Sequence, residues 1–408
     1  MSSRLVRAAV LLIAGSFLAC HDAPQAPTTP TAPEWARLTM DDAVTDYPSW
    51  GGLDLLSSGA GDLEFVSAET EYGSLHFGAC FADCDVRANW TQVTLDSGVY
   101  RGIGVNASSV ETGSGITIAY EDFQTSTMYV KILSCAADCT RRAGWTGGDI
   151  RAGTLGPFEG SHSRALAADS SGGLHLLYRP GNDVAMYYAE CASACGDSAS
   201  WRSVLLDSAV YQPSSSGSAI AVTPTGAVHV LLATPDTSRT LRYLTCASSC
   251  TDTARWTSLR LEHGSTLTEV TPSITLGPDG RIYATYGGGV IHYATCMTNC
   301  VNLAGWTEVA TAIPAGTDVA LRLDGSGTPW IASSFGLASS YNGHSVVAHC
   351  ASACLSADGW TTAAIDSLGN GLDIALVVDA AGPHVMVSGL GVNYAQHPDS
   401  ASPAPRRP

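Results

Sequence analysis

Of the 13 cysteines in this chain, all but Cys20 come as close pairs: Cys80 with Cys84, Cys135 with Cys139, Cys191 with Cys195, Cys246 with Cys250, Cys296 with Cys300 and Cys350 with Cys354. Each pair is followed, six residues after its second cysteine, by a tryptophan: Trp90, Trp145, Trp201, Trp256, Trp306 and Trp360. Thiols at this spacing have three uses. Two thiolates are half of a tetrahedral metal site, yet no third or fourth ligand recurs beside the pair in sequence. Redox catalysis places two residues between its cysteines at a helix start, once per domain; here three residues intervene, and the unit repeats. A local disulfide is the third use, because a turn between two strands brings residues i and i+4 within bonding range. Closing so short a loop contributes only about 2 kcal/mol per bridge. Disulfides are therefore expected, with no metal and no cofactor.

Other side chains could do chemistry. His175, His229 and His384 fall in one repeated slot, which Glu64, Tyr283 and Trp330 fill elsewhere. They read as channel-lining bases or as a packing position common to the repeats, and their equivalence favours packing. Asp169, Asp324 and Asp379 open D-x-x-G turns, where an aspartate bonding its own backbone is sufficient reason for the residue. Asp41, Asp96, Asp207, Glu262 and Asp366 each stand six residues after a tryptophan. A ring of such acids could hold a cation or a basic partner, or could simply keep turns soluble. The least repetitive segments, at 150–164, 178–183, 261–272 and 334–345, hold the residues expected to touch a ligand: His162, Tyr178, Arg179, His263, Tyr341 and His344.

The elements that must position these residues come from the repeat. The first cysteines lie roughly 50–56 residues apart, a period that indicates a solenoid or propeller. Each repeat reads as four short strands. In the third, SRALAADSSG, LHLLYRP, VAMYYAEC and WRSVLLDS alternate apolar and polar residues between turn signals. After the sixth unit, LDIALVVDAAG, PHVMVSG and GVNYAQ supply three more strands without a fourth. EWARLTMDDAV, at 34–44, aligns with SWRSVLLDSAV at 200–210 and supplies the missing one. The expectation is an all-β, seven-bladed β-propeller of four-stranded blades, its N-terminal strand closing the last blade and removing free edges.

These repeats resemble sialidase-like (BNR-type) propeller arrays of secreted bacterial proteins. The residues that carry the resemblance are Ala167–Asp169, Gly172–His175, Tyr293–Thr295 and Trp306–Thr307. It implies the fold and leaves the role open, since such arrays serve many functions. The full S-x-D-x-G-x-T-W string of the sialidase Asp-box is absent.

Composition narrows the partners. The formal charge is −17, Lys131 is the only lysine, and no basic run occurs, which argues against nucleic acid and anionic membranes. Arg4 and Arg7 precede the apolar run AAVLLIAGSFLA, too short to span a bilayer and flanked like an export signal. FLAC, ending at Cys20, resembles a bacterial lipoprotein cleavage box, with Phe17 where leucine is usual. The expected organisation is a signal peptide at 1–19, a Pro/Thr tether at 20–33 acylated on Cys20, a propeller at 34–397 and a tail at 398–408.

The resulting expectation is a monomeric, lipid-anchored protein of the bacterial cell envelope, outside the cytoplasm. It would be a non-catalytic binding or scaffold protein for a glycan, peptide or protein partner. The alternative is a glycan-active enzyme, a sialidase-like hydrolase or a propeller lyase. A sialidase needs three arginines, a Tyr/Glu nucleophile pair and an acid. Arg101, Arg151, Arg164, Arg179 and Arg239 fall near the loop-bearing face, but no motif gathers three of them.

Overall fold

The computed structural model describes residues 35–41, 52–58, 61–69, 73–98, 103–122, 127–154, 163–164, 166–178, 185–208, 217–234, 240–261, 272–287, 289–316, 318–335, 344–365, 373–389 and 391–397. Its strands form seven antiparallel sheets, the blades of a β-propeller. Blades 1 to 6 occupy residues 53–97, 103–154, 166–207, 218–261, 273–314 and 318–365. Blade 7 takes three strands from residues 374–396 and its outermost strand, Ala36–Asp41, from the start of the described chain. That strand pairs antiparallel with Gly391–Gln396, Ala36 opposite Gln396. The closure expected from the EWARLTM alignment is thus the observed one. Among the described residues no helix is long and apolar enough to cross a membrane.

One strand differs from its sequence reading. The first strand of the third repeat is split, and Ser163–Arg164 pairs parallel with Ser218 and Ala219, the innermost strand of blade 4. Leu166–Ala168 then opens blade 3. The chain therefore stitches two neighbouring blades near the axis before entering its own.

The cores lie between blades. Strand alternation sends one row of side chains to each neighbouring blade, and the clusters follow that rule. One unites Leu176, Tyr188 and Met186 of blade 3 with Val230 and Leu244 of blade 4. Trp35 packs with Ile365 of blade 6 and Val387 of blade 7, while Met40 packs with Trp90 of blade 1 and Tyr394 of blade 7. The closing strand therefore belongs to two inter-blade cores.

Near the axis, hydrogen bonds join successive innermost strands. Asp54 accepts from the backbone N–H of Ser109 at 2.8 Å, Ser108 from Leu166 at 3.3 Å, Ser273 from Leu321 at 3.1 Å and Asp318 from Ile374 at 2.9 Å. These side chains are buried. Each bond satisfies a backbone donor that a ring of separate sheets leaves without a ladder partner.

All six cysteine pairs are disulfides, as the spacing led us to expect. Cys80 is bonded to Cys84 in blade 1, Cys135 to Cys139 in blade 2 and Cys191 to Cys195 in blade 3. Cys246 is bonded to Cys250 in blade 4, Cys296 to Cys300 in blade 5 and Cys350 to Cys354 in blade 6. The Cα–Cα separations are 5.5–5.7 Å. The bridged turn has the same form each time. The residue before the second cysteine (Asp83, Asp138, Ala194, Ser249, Asn299 or Ala353) has a positive φ of 49–59°. A single 3-10 turn follows and delivers the tryptophan. Its Nε1–H donates to the carbonyl of the second cysteine (Cys84, Cys139, Cys195, Cys250, Cys300 or Cys354) at 2.7–3.1 Å. The second cysteine thus has two tasks, to close the bridge with its sulfur and to accept the indole with its carbonyl. That bond accounts for the fixed spacing from cysteine to tryptophan. Bridges of this number belong to an oxidising compartment outside the cytoplasm.

Candidate functional site

The strand order gives the ring two unlike ends. The disulfide turns and the turns between first and second strands lie at one end, the turn face. The connections between second and third strands, and from blade to blade, lie at the other, the crossover face.

The repeated histidines are built into the walls between blades. His175 Nδ1 lies 2.6 Å from the Tyr188 hydroxyl, His229 Nδ1 2.7 Å from Tyr243 and His384 Nδ1 2.7 Å from Tyr394. Each tyrosine meets the tryptophan of the next blade edge-on: Tyr188 with Trp256, Tyr243 with Trp306 and Tyr394 with Trp90, at 5.1–5.5 Å between ring centres. Tyr293 meets Trp360 in the same way, and Phe77 meets Trp145. A histidine, a tyrosine, the next blade's tryptophan and a cysteine carbonyl therefore form one chain of contacts. Burial lowers the His229 pKa to about 4 and raises the Tyr243 hydroxyl to about 12. Glu64 fills the same slot in blade 1. Burial, helped by the charges of Glu111 and Asp62, raises its pKa to about 7.

The D-x-x-G turns hold themselves. Asp169 Oδ1 accepts from the N–H groups of Ser171 and Gly173 at 2.8 and 2.9 Å, and Asp324 Oδ1 from those of Ser326 and Thr328 at the same distances. Gly172 and Gly327 close these turns at φ 82° and 84°, where a side chain would strain the backbone. Burial raises the Asp169 pKa, and its hydrogen bonds from Ser171 and Gly173 more than offset this, leaving it low.

The acids that follow the tryptophans have a role the sequence reading missed. In blades 1, 3 and 7 the outermost strand slips register just before the acid, at Leu95, Leu206 and Met40. Such a bulge re-aims the next side chain. Asp96 meets Lys131 of blade 2 at 2.9 Å and accepts from the Tyr120 hydroxyl at 2.6 Å. Asp207 is paired with Arg242 of blade 4. Lys131 also pairs with Asp122 at 2.7 Å. Burial lowers the Lys131 pKa, but Asp122 and Asp96 outweigh it and hold the ammonium above its ordinary value. Asp96 and Asp207 are thus clasps between blades, not members of a cation-binding ring. The signal was present in sequence: the basic partner stands four residues before a first cysteine, as do His76 and His292.

Of the residues expected to touch a ligand, two are described. Tyr178 is buried, its hydroxyl 2.6 Å from Ser203 Oγ and its ring stacked on Tyr187. It forms part of the wall of blade 3. His344 is exposed at the start of the third strand of blade 6, opposite Phe335. His162, Arg179, His263, Tyr341 and the lipidation residue Cys20 lie outside the described residues. The structure therefore brings none of the six expected ligand contacts together among the described residues.

Two cavities open on the turn face. One, of about 610 Å³, lies where the innermost strands of blades 1, 6 and 7 converge and is lined by Leu55, Arg322, Asp324, Val377 and Asp379. The other, of about 630 Å³, is a groove between blades 3 and 4 lined by Asp169, His175, Glu190, Arg202, Thr225 and Ser249. In its floor His175 Nε2 stands 3.5 Å from Asp169 Oδ2, and Tyr188 donates to Glu190 at 3.0 Å. The groove can offer carboxylate, guanidinium and hydroxyl groups to a polar ligand. Among the described residues no three His, Cys, Asp or Glu side chains gather as a metal site.

No protein-family model matches the chain. No curated protein matches its sequence. Solved structures do match. The BP39L lectin from Burkholderia pseudomallei is 12% identical with a TM-score of 0.57, over 86% of this chain and 99% of the lectin. A fungal alcohol oxidase of the AA5 family, in complex with copper, is 10% identical with a TM-score of 0.52, over 92% of this chain and 79% of the oxidase. The NanB sialidase from Streptococcus pneumoniae is 12% identical at 0.42, over 88% and 70%. The lectin and the oxidase share the propeller fold with this chain. At these identities the likeness extends to the fold alone.

Proposed function

We propose that this protein is a non-catalytic binding propeller of the bacterial cell envelope, held to a membrane by acylated Cys20 and displaying its crossover face to a glycan or protein partner. The observation that carries this reading is the use made of the repeated polar side chains. His175, His229 and His384 are bonded to tyrosines, and Asp96 and Asp207 to bases of the next blade. Chemistry that could act on a substrate is spent on joining strands and blades. The least repetitive segments are the crossover-face connections, which is where a rigid scaffold carries recognition. The lectin of like fold makes a glycan the first ligand class to try, while the oxidase warns that the fold admits other roles. The groove between blades 3 and 4 offers a second polar surface for such a ligand.

Glycan-array binding, run beside turnover assays on sialosides and uronates, tests the reading. Saturable binding without turnover is expected. Turnover that is lost on substituting arginines of the crossover face would replace this reading with that of a glycan-active enzyme.

A further inference from the structure

Large apolar side chains exposed at the turn face are unevenly distributed around the ring. Phe81 is 59% exposed and Val86 45% in the disulfide turn of blade 1; Met297 is 48%, Val301 40% and Leu303 51% in that of blade 5; Leu355 is 45% in that of blade 6. At the corresponding positions the turns of blades 2, 3 and 4 carry Ala136, Ala192 and Ala247 after the first cysteine, as blade 6 does with Ala351. After the second they carry Thr140, Gly196 and Thr251, then Arg141, Asp197 and Asp252. No scaffold requirement explains the difference, because all six turns have the same backbone, the same bridge and the same tryptophan bond.

Blade 7 lies between blades 6 and 1 and has no disulfide turn. In its place the described residues begin and end: Trp35 directly precedes the outermost strand, Gln396 ends the third strand beside it, and the Trp35 and His397 rings meet at 5.1 Å. The apolar tips of blades 5, 6 and 1 therefore flank, on both sides, the point where the N-terminal segment joins the ring. That segment runs back through the Pro/Thr stretch to Cys20 and the apolar run before it. Its fifteen residues from Cys20 reach at most about 50 Å when fully extended.

We propose that these tips form a lipid-docking surface: the ring lies with blades 5, 6, 7 and 1 against a zwitterionic bilayer and its crossover face turned away. The proposal rests on the reading of Cys20 as a membrane anchor. The occupant follows from where the anchor segment joins. A short tether that joins the ring between these tips keeps them near the surface. In the turns of blades 5 and 6 Asp358 is the one charged side chain, while that of blade 1 sets Asp83, Asp85 and Arg87 around Phe81 and Val86; Phe, Met, Leu and Val tips of this kind partition into the interfacial region of lipid. The turns of blades 2 and 4, which carry Asp138, Arg141, Arg142, Asp252 and Arg255 and no exposed large apolar tip among the described residues, stay in water.

The test uses the full chain isolated from the cell that exports it, mixed with phosphatidylcholine vesicles containing a dansyl-labelled phosphatidylethanolamine. Energy transfer from the tryptophans to the dansyl group reports how close the ring lies. The Met297→Ser/Leu303→Ser/Leu355→Ser variant changes only exposed side chains and should keep the parent's melting temperature. Its transfer should fall, because the ring then stands off on its tether. Equal transfer in variant and parent overturns the docking surface. So does a dimer in vesicle-free solution that the same substitutions dissolve, which would assign the tips to a second copy of this chain. The mass of the N-terminal peptide tests the anchor separately. Acylated Cys20 with variant-insensitive transfer removes the docking alone. An unacylated chain with variant-sensitive transfer removes the anchor and leaves the docking standing.

Discussion

Deleting Trp35 together with the closing strand, Ala36–Asp41, should open the ring. Trp35 and Met40 are 6% and 2% exposed and belong to different inter-blade cores. Loss of a buried tryptophan costs about 3–5 kcal/mol and of a buried methionine about 2–5 kcal/mol. The two side chains alone therefore cost about 5–10 kcal/mol, before the ladder to Gly391–Gln396 is counted. Whole-domain stability is commonly about 5–15 kcal/mol. The deletion also bares the edge of Gly391–Gln396, a template for pairing with another chain. Circular dichroism melting and size-exclusion chromatography of the truncated chain are the assay. Aggregation or early unfolding is expected, with recovery when a peptide spanning residues 35–41 is added in trans. A truncated chain that stays monomeric and melts within a few degrees of the parent would refute the reasoning, since it would mean blade 7 is complete without this strand.

Three further outcomes follow from particular side chains. Replacing one bridge, in Cys191→Ser/Cys195→Ser, should cost about 2 kcal/mol and lower the melting temperature by a few degrees, while non-reducing peptide mass mapping confirms the other pairs. Glu64 has a folded pKa raised to about 7 from an ordinary 4.5, so its stabilising contribution is full below pH 4.5 and is lost as pH rises through 7. Glu64→Gln should therefore gain about 1–2 kcal/mol at pH 8, allowing for solvent screening, and nothing at pH 4, as read by chemical denaturation. His229 has a folded pKa depressed to about 4 from 6.5, so its contribution is full above pH 6.5 and is lost as pH falls through 4. The His229→Phe/Tyr243→Phe variant removes both hydrogen-bond partners together and should flatten that acid limb by about 2–3 kcal/mol in melting curves taken across it.

Much of this architecture could be read before any coordinates. Cysteine and tryptophan recur because a bridged turn with one left-handed residue must place an indole N–H on a carbonyl, and a chemical requirement of that kind repeats wherever the turn repeats. The closing strand was legible in EWARLTM because a ring needs equal blades, and a missing outermost strand at one terminus has to be supplied by the other. The histidine slot was legible as a slot, since equivalent positions in equivalent blades meet equivalent walls.

What a side chain does across the boundary between blades was decided only by tertiary structure. Asp96 and Lys131 are separated along the chain by two strands and their turns; each stands at a fixed place in its repeat, but the repeat alone does not say that the two places meet. Their meeting depends on a bulge that re-aims the acid and on the rotation that sets one blade beside the next. Tyr178 stood in sequence both at the end of the strand LHLLYRP and in the segment 178–183; the structure places it in the strand, with its hydroxyl 2.6 Å from Ser203 Oγ. The split first strand of blade 3 has the same origin: Ser163 and Arg164 pair with a strand of the neighbouring blade. Periodicity in sequence reports the environment each residue type needs, whereas the choice of neighbour across a blade interface is made by the closed geometry of the ring.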